Sequence, residues 1–325
     1  MALAPHLDPA RALETVERAL ALAPDDPALR AQGRRLISRL APSWHFVIVR
    51  DARRNQAYEA ALRRAVTPDS RVLEIGTGSG LLAMMAARAG AREVIACEAN
   101  PAIAQTAREI IARNGFADRI RIVAKHSTSL DVEADLGGPA DVLVSEIVSN
   151  DLIGEAVLPT LEDAVRRLVK PGAAVIPGRG RIRVALAHDA RWVGGRMGEV
   201  AGFDLSTFNR FAPALREAGV ADPRLTLRSD AADLFDFDFA TGGPYPPAAA
   251  RVSLRSEGGP VNCVAQWLAL DFDSKETYEN RPHGGPSCWA LVIHPLETEL
   301  ATQAGELVVI GARHDRHSVC LWAGA

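Results

Sequence analysis

The sequence lacks the usual marks of a secreted, metal-binding or membrane-spanning protein. It contains four cysteines in 325 residues, with neither the CxxC spacing of a zinc site nor the density of a disulfide framework. This usage indicates a reducing, cytoplasmic location and no bound metal. No apolar run reaches the roughly 18 residues needed to cross a bilayer, and the N-terminus lacks the basic start and apolar core of a signal peptide. We therefore expect no membrane partner.

The chain also lacks an excess of positive charge. It has 37 Lys and Arg against 40 Asp and Glu, which gives a formal net charge of −3. A protein with this balance has no global basic field to attract nucleic acid, so we expect no nucleic-acid partner. Hydrophobic residues make up 48% of the chain. This content is sufficient for one large domain or two ordinary ones, each with a core.

Three regions with different patterns follow one another. Residues 1–42 predict a helical extension, with one helix over 9–22 and a second after the break at 23–27. Residues 43–178 alternate strands with helices, which predicts an α/β fold with a doubly wound, Rossmann-like parallel sheet. Residues 179–325 carry strands with alternating polar and apolar positions, which predict an antiparallel barrel or sandwich.

A glycine-rich turn follows the first predicted strand of the α/β region. Gly76, Gly78 and Gly80 form a GxGxG pattern, which lacks the GxGxxG spacing of a dinucleotide site and argues against an NAD-dependent oxidoreductase. The next strand ends at Glu98, about 20 residues further on, where an acid can hydrogen-bond both hydroxyls of a ribose. Glycines and acid together predict S-adenosylmethionine as cofactor. A solvated acid after a strand is the alternative interpretation of Glu98.

Two polar residues follow the third predicted strand. His126 and Ser127 lie where an adenine ring would rest at the edge of the sheet. An ordinary polar turn explains them almost as well.

Two glutamates bracket the loop after the fourth predicted strand. Glu146 follows the apolar run 140–144, and Glu155 ends the loop. Because arginine stays charged at physiological pH, it is a poor nucleophile. One carboxylate can accept paired hydrogen bonds from a guanidinium while the other draws charge from the attacking nitrogen. The pair therefore predicts methyl transfer to arginine, although Glu155 could also be an acid in the first turn of a helix.

These motifs resemble those of the protein arginine N-methyltransferases over roughly residues 43–323, and they look most like the type III, monomethylating branch. The segments that carry the resemblance are 72–82, 114–116, 125–128 and 151–155. The resemblance implies a class I methyltransferase domain followed by a β-barrel. It also implies an arginine-containing protein or peptide as substrate.

The resemblance assigns roles to individual residues. Arg54, in a helix that folds over the cofactor, would hold the methionine carboxylate through two hydrogen bonds. The implied catalytic residues are Glu146, Glu155, Trp289 and Asp51. The implied cofactor-binding residues are His45, Arg54, Glu74, Gly76, Gly78, Gly80, Glu98, His126 and Ser127.

The resemblance also implies a helical arm over about 188–210 that docks on a second subunit, and hence a homodimer. One departure concerns the loop that closes the substrate site, which is Thr-His-Trp in the family and 287–289 here. Trp289 keeps the aromatic wall, whereas Cys288 replaces a histidine that in relatives can pair with an acid matching Asp51. His283 is a nearby candidate to replace it.

Two other functions stay open. One is methyl transfer to a small guanidine or amine metabolite, or to a peptide natural product. The other is an inactive scaffold subunit that recruits a partner through its N-terminal helices. Both glutamates and the glycine turn are retained, which argues against the scaffold.

Overall fold

The computed structural model describes residues 8–191 and 197–324. No helix in this described part is long and apolar enough to span a bilayer. The helices are α1 Pro9–Leu22, α2 Pro27–Ile37, α3 His45–Ile48, α4 Ala52–Ala65, α5 Leu81–Arg88, α6 Pro101–Arg113 and α7 Val157–Arg167. The strands are β1 Arg71–Ile75, β2 Glu93–Cys97, β3 Ile120–Val123, β4 Ala140–Ser145, β5 Val169–Ile176, β6 Arg179–Asp189, β7 Glu199–Val200, β8 Phe203–Asp204, β9 Arg216–Ala218, β10 Leu225–Leu227, β11 Ala232–Asp238, β12 Ala248–Asp271, β13 Thr277–Glu279, β14 Leu291–His314 and β15 Val319–Ala323.

The first five strands form one parallel sheet in the order β3-β2-β1-β4-β5. Its central strands are apolar and buried, as expected for a parallel sheet covered on both faces by helices. The prediction of a doubly wound sheet is confirmed. Because the strand order reverses between β1 and β4, a crevice opens at the carboxyl ends of these two strands.

Strands β6 and β9–β15 form a second, antiparallel sheet of eight strands. Its centre is β12 paired with β14, each 24 residues long. The sequence pattern predicts shorter strands, because a glycine pair and two register shifts interrupt the alternation within these long strands. The antiparallel second region is confirmed, and its closure into a barrel stays a prediction.

The two N-terminal helices form as the sequence predicts. Asp26 accepts hydrogen bonds from the backbone N–H groups of Ala28 and Leu29 and thereby caps α2. Helix α1 packs against α2 and also contacts α6 of the α/β region. The domain boundaries after residues 42 and 178 stay predictions.

The structure corrects the alternative interpretation that Glu155 lies in the first turn of a helix. Helix α7 begins only at Val157, because Leu152 and Ala156 adopt positive φ angles of 75° and 59° that a right-handed helix cannot continue through. Glu155 therefore precedes the helix. Its interpretation as an acid in a first helical turn is wrong.

The structure also corrects the helical arm. In the described part of 188–210, residues 199–204 form the β7–β8 hairpin and a 3₁₀ helix follows over Ser206–Phe211, while residues 192–196 lie outside the described residues. Ala201 and Gly202, with φ angles of 54° and 83°, make the two-residue turn that matches the twist of a hairpin. These positive φ angles exclude an α-helix there.

Candidate active site

A cavity of about 360 Å³ lies where the strand order reverses. Loops after β1, β2, β3 and β4 form its floor, and the start of α4 and the segment before it form the opposite wall. Both loop glutamates and most of the predicted cofactor residues line it: His45, Arg54, Glu74, Gly76, Gly78, Glu98, His126 and Ser127. Gly80, Asp51 and Trp289 lie outside this lining.

The glycine turn adopts a backbone that other residues rarely tolerate. The φ angles of Gly76, Gly78 and Gly80 are 77°, 50° and 79°. A Cβ at Gly76 would lie 2.7 Å from the side chain of Ile147. At Gly80 a Cβ would lie 3.1 Å from Ile111, so Gly80 allows α6 to pack against the turn. The structure thus gives Gly80 a packing role and does not bring it to the cavity.

Glu98 is held at the end of β2 by two backbone hydrogen bonds. Its Oε2 accepts from the N–H of Gly78 at 3.1 Å, and its Oε1 accepts from the N–H of Asn100 at 2.9 Å. Each carboxylate oxygen has two lone pairs, so both oxygens can still accept from a hydroxyl. This geometry fits the predicted contact with a ribose.

Glu74 lies beneath the glycine turn and is almost fully buried. Burial raises the pKa of Glu74 to about 8. The hydrogen bond that Thr77 Oγ1 donates to Glu74 at 2.5 Å lowers the pKa, but burial has the larger effect. Glu74 is therefore protonated near neutral pH and braces the turn through Thr77.

Arg54 and Glu146 form a buried ion pair at one end of the cavity. Arg54 Nη2 lies 3.0 Å from Glu146 Oε2, and the two side chains are 3% and 7% exposed. Burial raises the pKa of Glu146, although the positive charge of Arg54 opposes the rise. Arg54 Nε and Glu146 Oε1 have no hydrogen-bond partner among the described residues. Buried polar atoms without partners are rare, and these two suit an incoming carboxylate and an incoming guanidinium.

Glu155 lies at the mouth of the same cavity and is exposed. Partial burial and the negative charges of Glu146 and Asp151 raise the pKa of Glu155. The two predicted glutamates therefore influence each other, as a pair acting on one cation would.

A second cleft of about 480 Å³ begins where the first ends. Trp44, Ile48 and Glu155 line both. Trp289 forms part of its wall, is 3% exposed and donates from its indole Nε1 to the carbonyl oxygen of Val148 at 2.8 Å. The predicted aromatic wall thus also fixes the loop between the glutamates.

Asp51 joins α4 to the second region. Its Oδ1 accepts from the N–H of Arg54 at 3.0 Å and caps the helix, while its Oδ2 accepts from the hydroxyl of Tyr278 at 2.6 Å and the N–H of Cys288 at 2.9 Å. Burial by itself would raise the pKa of Asp51, but these hydrogen bonds together outweigh it, so the pKa is lowered. His283 bonds instead to the carbonyl of Leu225. Asp51 is therefore paired with Tyr278 and the backbone of Cys288, and not with His283.

Sequence reasoning missed three residues that hold segments around the site. The Tyr58 hydroxyl donates to the carbonyl of Ser145 at 2.8 Å. Asn150 accepts from the N–H of Ala290 and donates to Glu217. Tyr278 acts through Asp51. These partners lie far apart in sequence, and no local motif marks them.

Comparisons with known proteins identify relatives of this chain. The family model described as "Ribosomal protein L11 methyltransferase (PrmA)" matches residues 57–178. An arginine N(omega)-methyltransferase of Streptomyces achromogenes subsp. streptozoticus is 38% identical over 301 residues, which are 91% of this chain and 83% of the relative. Protein arginine N-methyltransferase 7 of Danio rerio is 32% identical over 317 residues, and there the match covers 87% of this chain but 46% of the relative.

Solved structures show the same fold. The Trypanosoma brucei PRMT1 enzyme-prozyme heterotetrameric complex with AdoHcy has a TM-score of 0.77 at 22% identity, and the match covers 89% of this chain and 100% of that one. Arabidopsis thaliana protein arginine methyltransferase 10 has a TM-score of 0.68 at 17% identity, covering 82% and 86% of the two chains.

Fold and site define an S-adenosylmethionine-dependent methyltransferase of the class I type. The chain belongs to the arginine N-methyltransferase family, and its predicted likeness to the type III branch agrees with the relatives named protein arginine N-methyltransferase 7. It is therefore an S-adenosylmethionine-dependent arginine methyltransferase.

Proposed function

We propose that this protein methylates a terminal guanidino nitrogen of arginine residues in proteins or peptides. The observation that carries the proposal is that Glu155 lines both clefts while Glu146 lines the inner cavity. A cofactor in the inner cavity and a side chain entering through the outer cleft would approach each other at these carboxylates.

The inner cavity offers a set of contacts that fits S-adenosylmethionine. The free Nε edge of Arg54 suits the amino-acid carboxylate, and Glu98 suits the ribose hydroxyls. His126 and Ser127 border the remaining space, where an adenine would lie. When bound, this cofactor supplies an electrophilic methyl group on a sulfonium.

The glutamates act on the acceptor. Glu146 Oε1, which has no partner among the described residues, accepts from the guanidinium while Arg54 keeps the other oxygen oriented. Glu155 holds the cation from the mouth of the cleft and draws positive charge away from the attacking nitrogen. The transfer would break the S–CH3 bond of the sulfonium as the N–C bond forms, and would leave a neutral thioether. The more exposed Glu155 is placed to pass the released N–H proton to solvent. Holding the nitrogen in line supplies much of the remaining rate.

Free arginine is the second candidate substrate. It is favoured by the Streptomyces relative, whose name specifies arginine without a protein. Both substrates present the same guanidinium to the glutamates. The choice between them therefore depends on which groups beyond the side chain the outer cleft accepts.

Methyl transfer from labelled cofactor to arginine-rich peptides and to free arginine, in parallel, separates the two. We expect incorporation into peptides, with monomethylarginine as the product by mass spectrometry, in line with the type III likeness. Incorporation into free arginine alone would replace the first proposal with the second. Absence of transfer to both would refute an acceptor site at the glutamates.

We also propose a homodimer and a cytoplasmic location. The segment after β6 exposes several large apolar side chains, and Phe203, Phe208 and Phe211 are 70%, 58% and 71% exposed. Apolar surface of this kind marks a protein contact. The arm thus keeps its proposed role in subunit contact despite its different secondary structure.

A further inference from the structure

A lightly packed segment forms one wall of the cofactor cavity. Pro42, Trp44, His45 and Ile48 line the cavity from this side, and every residue from 41 to 50 keeps an exposed fraction of its surface. A segment that buries so little gains little stability from the core and opens easily. The contacts at its two ends therefore decide how well the wall is ordered.

Asparagine side chains hold both ends of this wall. Asn55 Nδ2 donates to the carbonyl oxygen of Val49 at 2.9 Å. Asn100 Nδ2 donates to the carbonyl oxygen of Leu40 at 2.8 Å. Because Asn55 also accepts from Arg54, its effect cannot be separated from that of the ion pair. Asn100 gives the cleaner test.

Asn100 connects three parts of the cofactor site. Its Oδ1 accepts from the N–H of Ala102 at 3.0 Å and caps α6. Its backbone N–H donates to Glu98 Oε1 at 2.9 Å. Its side-chain amide holds Leu40, where the wall begins. One residue thus fixes the ribose-binding acid, the start of a helix and the cavity wall relative to one another.

We infer that Asn100 is a positioning residue that raises cofactor affinity by ordering the wall before the cofactor binds. A wall that is already in place costs less conformational entropy when the ligand arrives. This role goes beyond the choice of arginine substrate and rests only on the assignment of the inner cavity to the cofactor. The side chain acts through Leu40 and the segment after it.

The test is Asn100→Ser in the full-length protein. Serine keeps an oxygen that caps α6 and leaves the backbone N–H to Glu98 intact, but its hydroxyl is too short to reach Leu40. We expect the Kd for S-adenosylhomocysteine, measured by calorimetry, to rise about three- to tenfold, as the loss of one hydrogen bond implies. The KM for S-adenosylmethionine should rise in parallel while kcat at saturation changes little.

Asn114→Ser is the matched control. Asn114 lies at the other end of α6, where its Nδ2 donates to the carbonyl of Ile110 at 2.8 Å, away from the cavity. We expect wild-type cofactor affinity for this variant. Amide hydrogen exchange of residues 41–50 without ligand should accelerate in Asn100→Ser and not in Asn114→Ser.

Unchanged affinity in Asn100→Ser would overturn the inference, and so would an equal loss in both variants, because the cause would then be the helix. Faster exchange of the wall without weaker binding would also overturn it. Glu98→Gln separates this inference from the assignment of the cavity. If Glu98→Gln binds S-adenosylhomocysteine as wild type does, the ribose contact is wrong, whatever Asn100 does.

Discussion

At the scale of single residues, three carboxyl groups of the site differ in their surroundings and therefore in their chemistry. Glu146 is buried against Arg54, Glu155 is exposed at the mouth, and Glu74 is sealed beneath the glycine turn. We therefore propose that the same side-chain type serves as an oriented acceptor, a cation holder and a neutral brace. Each role yields a separate prediction.

Glu146→Gln and Glu155→Gln should each lower kcat at least about 100-fold, because each removes a charge that the proposed mechanism directs at the reacting guanidinium. Both variants should keep the wild-type fold by circular dichroism. Glu109→Gln, an exposed change on α6, is the control and should keep full activity. Turnover near the wild-type value in either glutamate variant would contradict the clamp.

The acid limb of the pH–rate profile should depend on the charges near Glu155. In the proposed mechanism Glu155 acts in its ionised form. Its raised pKa then places the loss of activity on acidification at a higher pH than an ordinary glutamate would. Asp151→Asn removes one of the like charges that raise this pKa. The acid limb of kcat/KM should then shift to lower pH, and an unchanged limb or an upward shift would refute the assignment.

Glu74 makes stability depend on pH in a defined direction. Its pKa of about 8 lies above the ordinary value, so the folded state keeps a proton that the unfolded chain loses first. The contribution of Glu74 to the free energy of unfolding is complete below the ordinary pKa of a glutamate. It is lost as the pH rises to about 8, by up to about 1.4 kcal/mol per pH unit. Denaturant unfolding of Glu74→Gln between pH 5 and 8 should lack this decline. Parallel slopes for variant and wild type would show that Glu74 is ionised in the folded protein.

At the scale of elements, the turn between β1 and α5 brings its backbone to the proposed cofactor cavity. Gly78 has a positive φ, and a Cβ there would lie 3.5 Å from the ring of His45. Gly78→Arg should therefore abolish binding of S-adenosylhomocysteine in calorimetry. Gly115→Arg is the matched control, because Gly115 also has a positive φ, whereas nothing lies within 4 Å of the position of a Cβ there. This control should lose stability and still bind, and binding by Gly78→Arg would show that the turn is misassigned.

Elements with strong local signals could be predicted from sequence. Helix α1 begins and ends where its apolar spacing indicates, and Asp26 and Pro27 mark the start of α2. The start of α7 could not be predicted, since the left-handed residues Leu152 and Ala156 are held by the loop's tertiary contacts. The arm was mispredicted because its helical assignment came from the family resemblance. The short-range turn signal at Ala201-Gly202, which forms a hairpin, was not used.

At the scale of the whole molecule, the exposed phenylalanines of the arm lead to the last prediction. Replacing Phe203, Phe208 and Phe211 together by serine should convert the proposed homodimer to monomers in sedimentation, because the proposed apolar contact loses its anchors. Serine at Leu307 and Trp322, which are exposed elsewhere, should leave the dimer unchanged. Dimers in the triple variant would exclude the arm as the contact.

The sequence by itself determined the parallel sheet, the glycine turn, the acid at Glu98 and the spacing of Glu146 and Glu155, because strand periodicity, helix caps and loop spacing act over a few residues. Only the tertiary structure decided which partners these groups face. Arg54 forms an ion pair with Glu146 because packing brings distant segments together. For the same reason Asp51 is hydrogen-bonded to Tyr278, and Asn100 to Leu40. Such contacts leave no local pattern, since either partner alone is an ordinary polar residue.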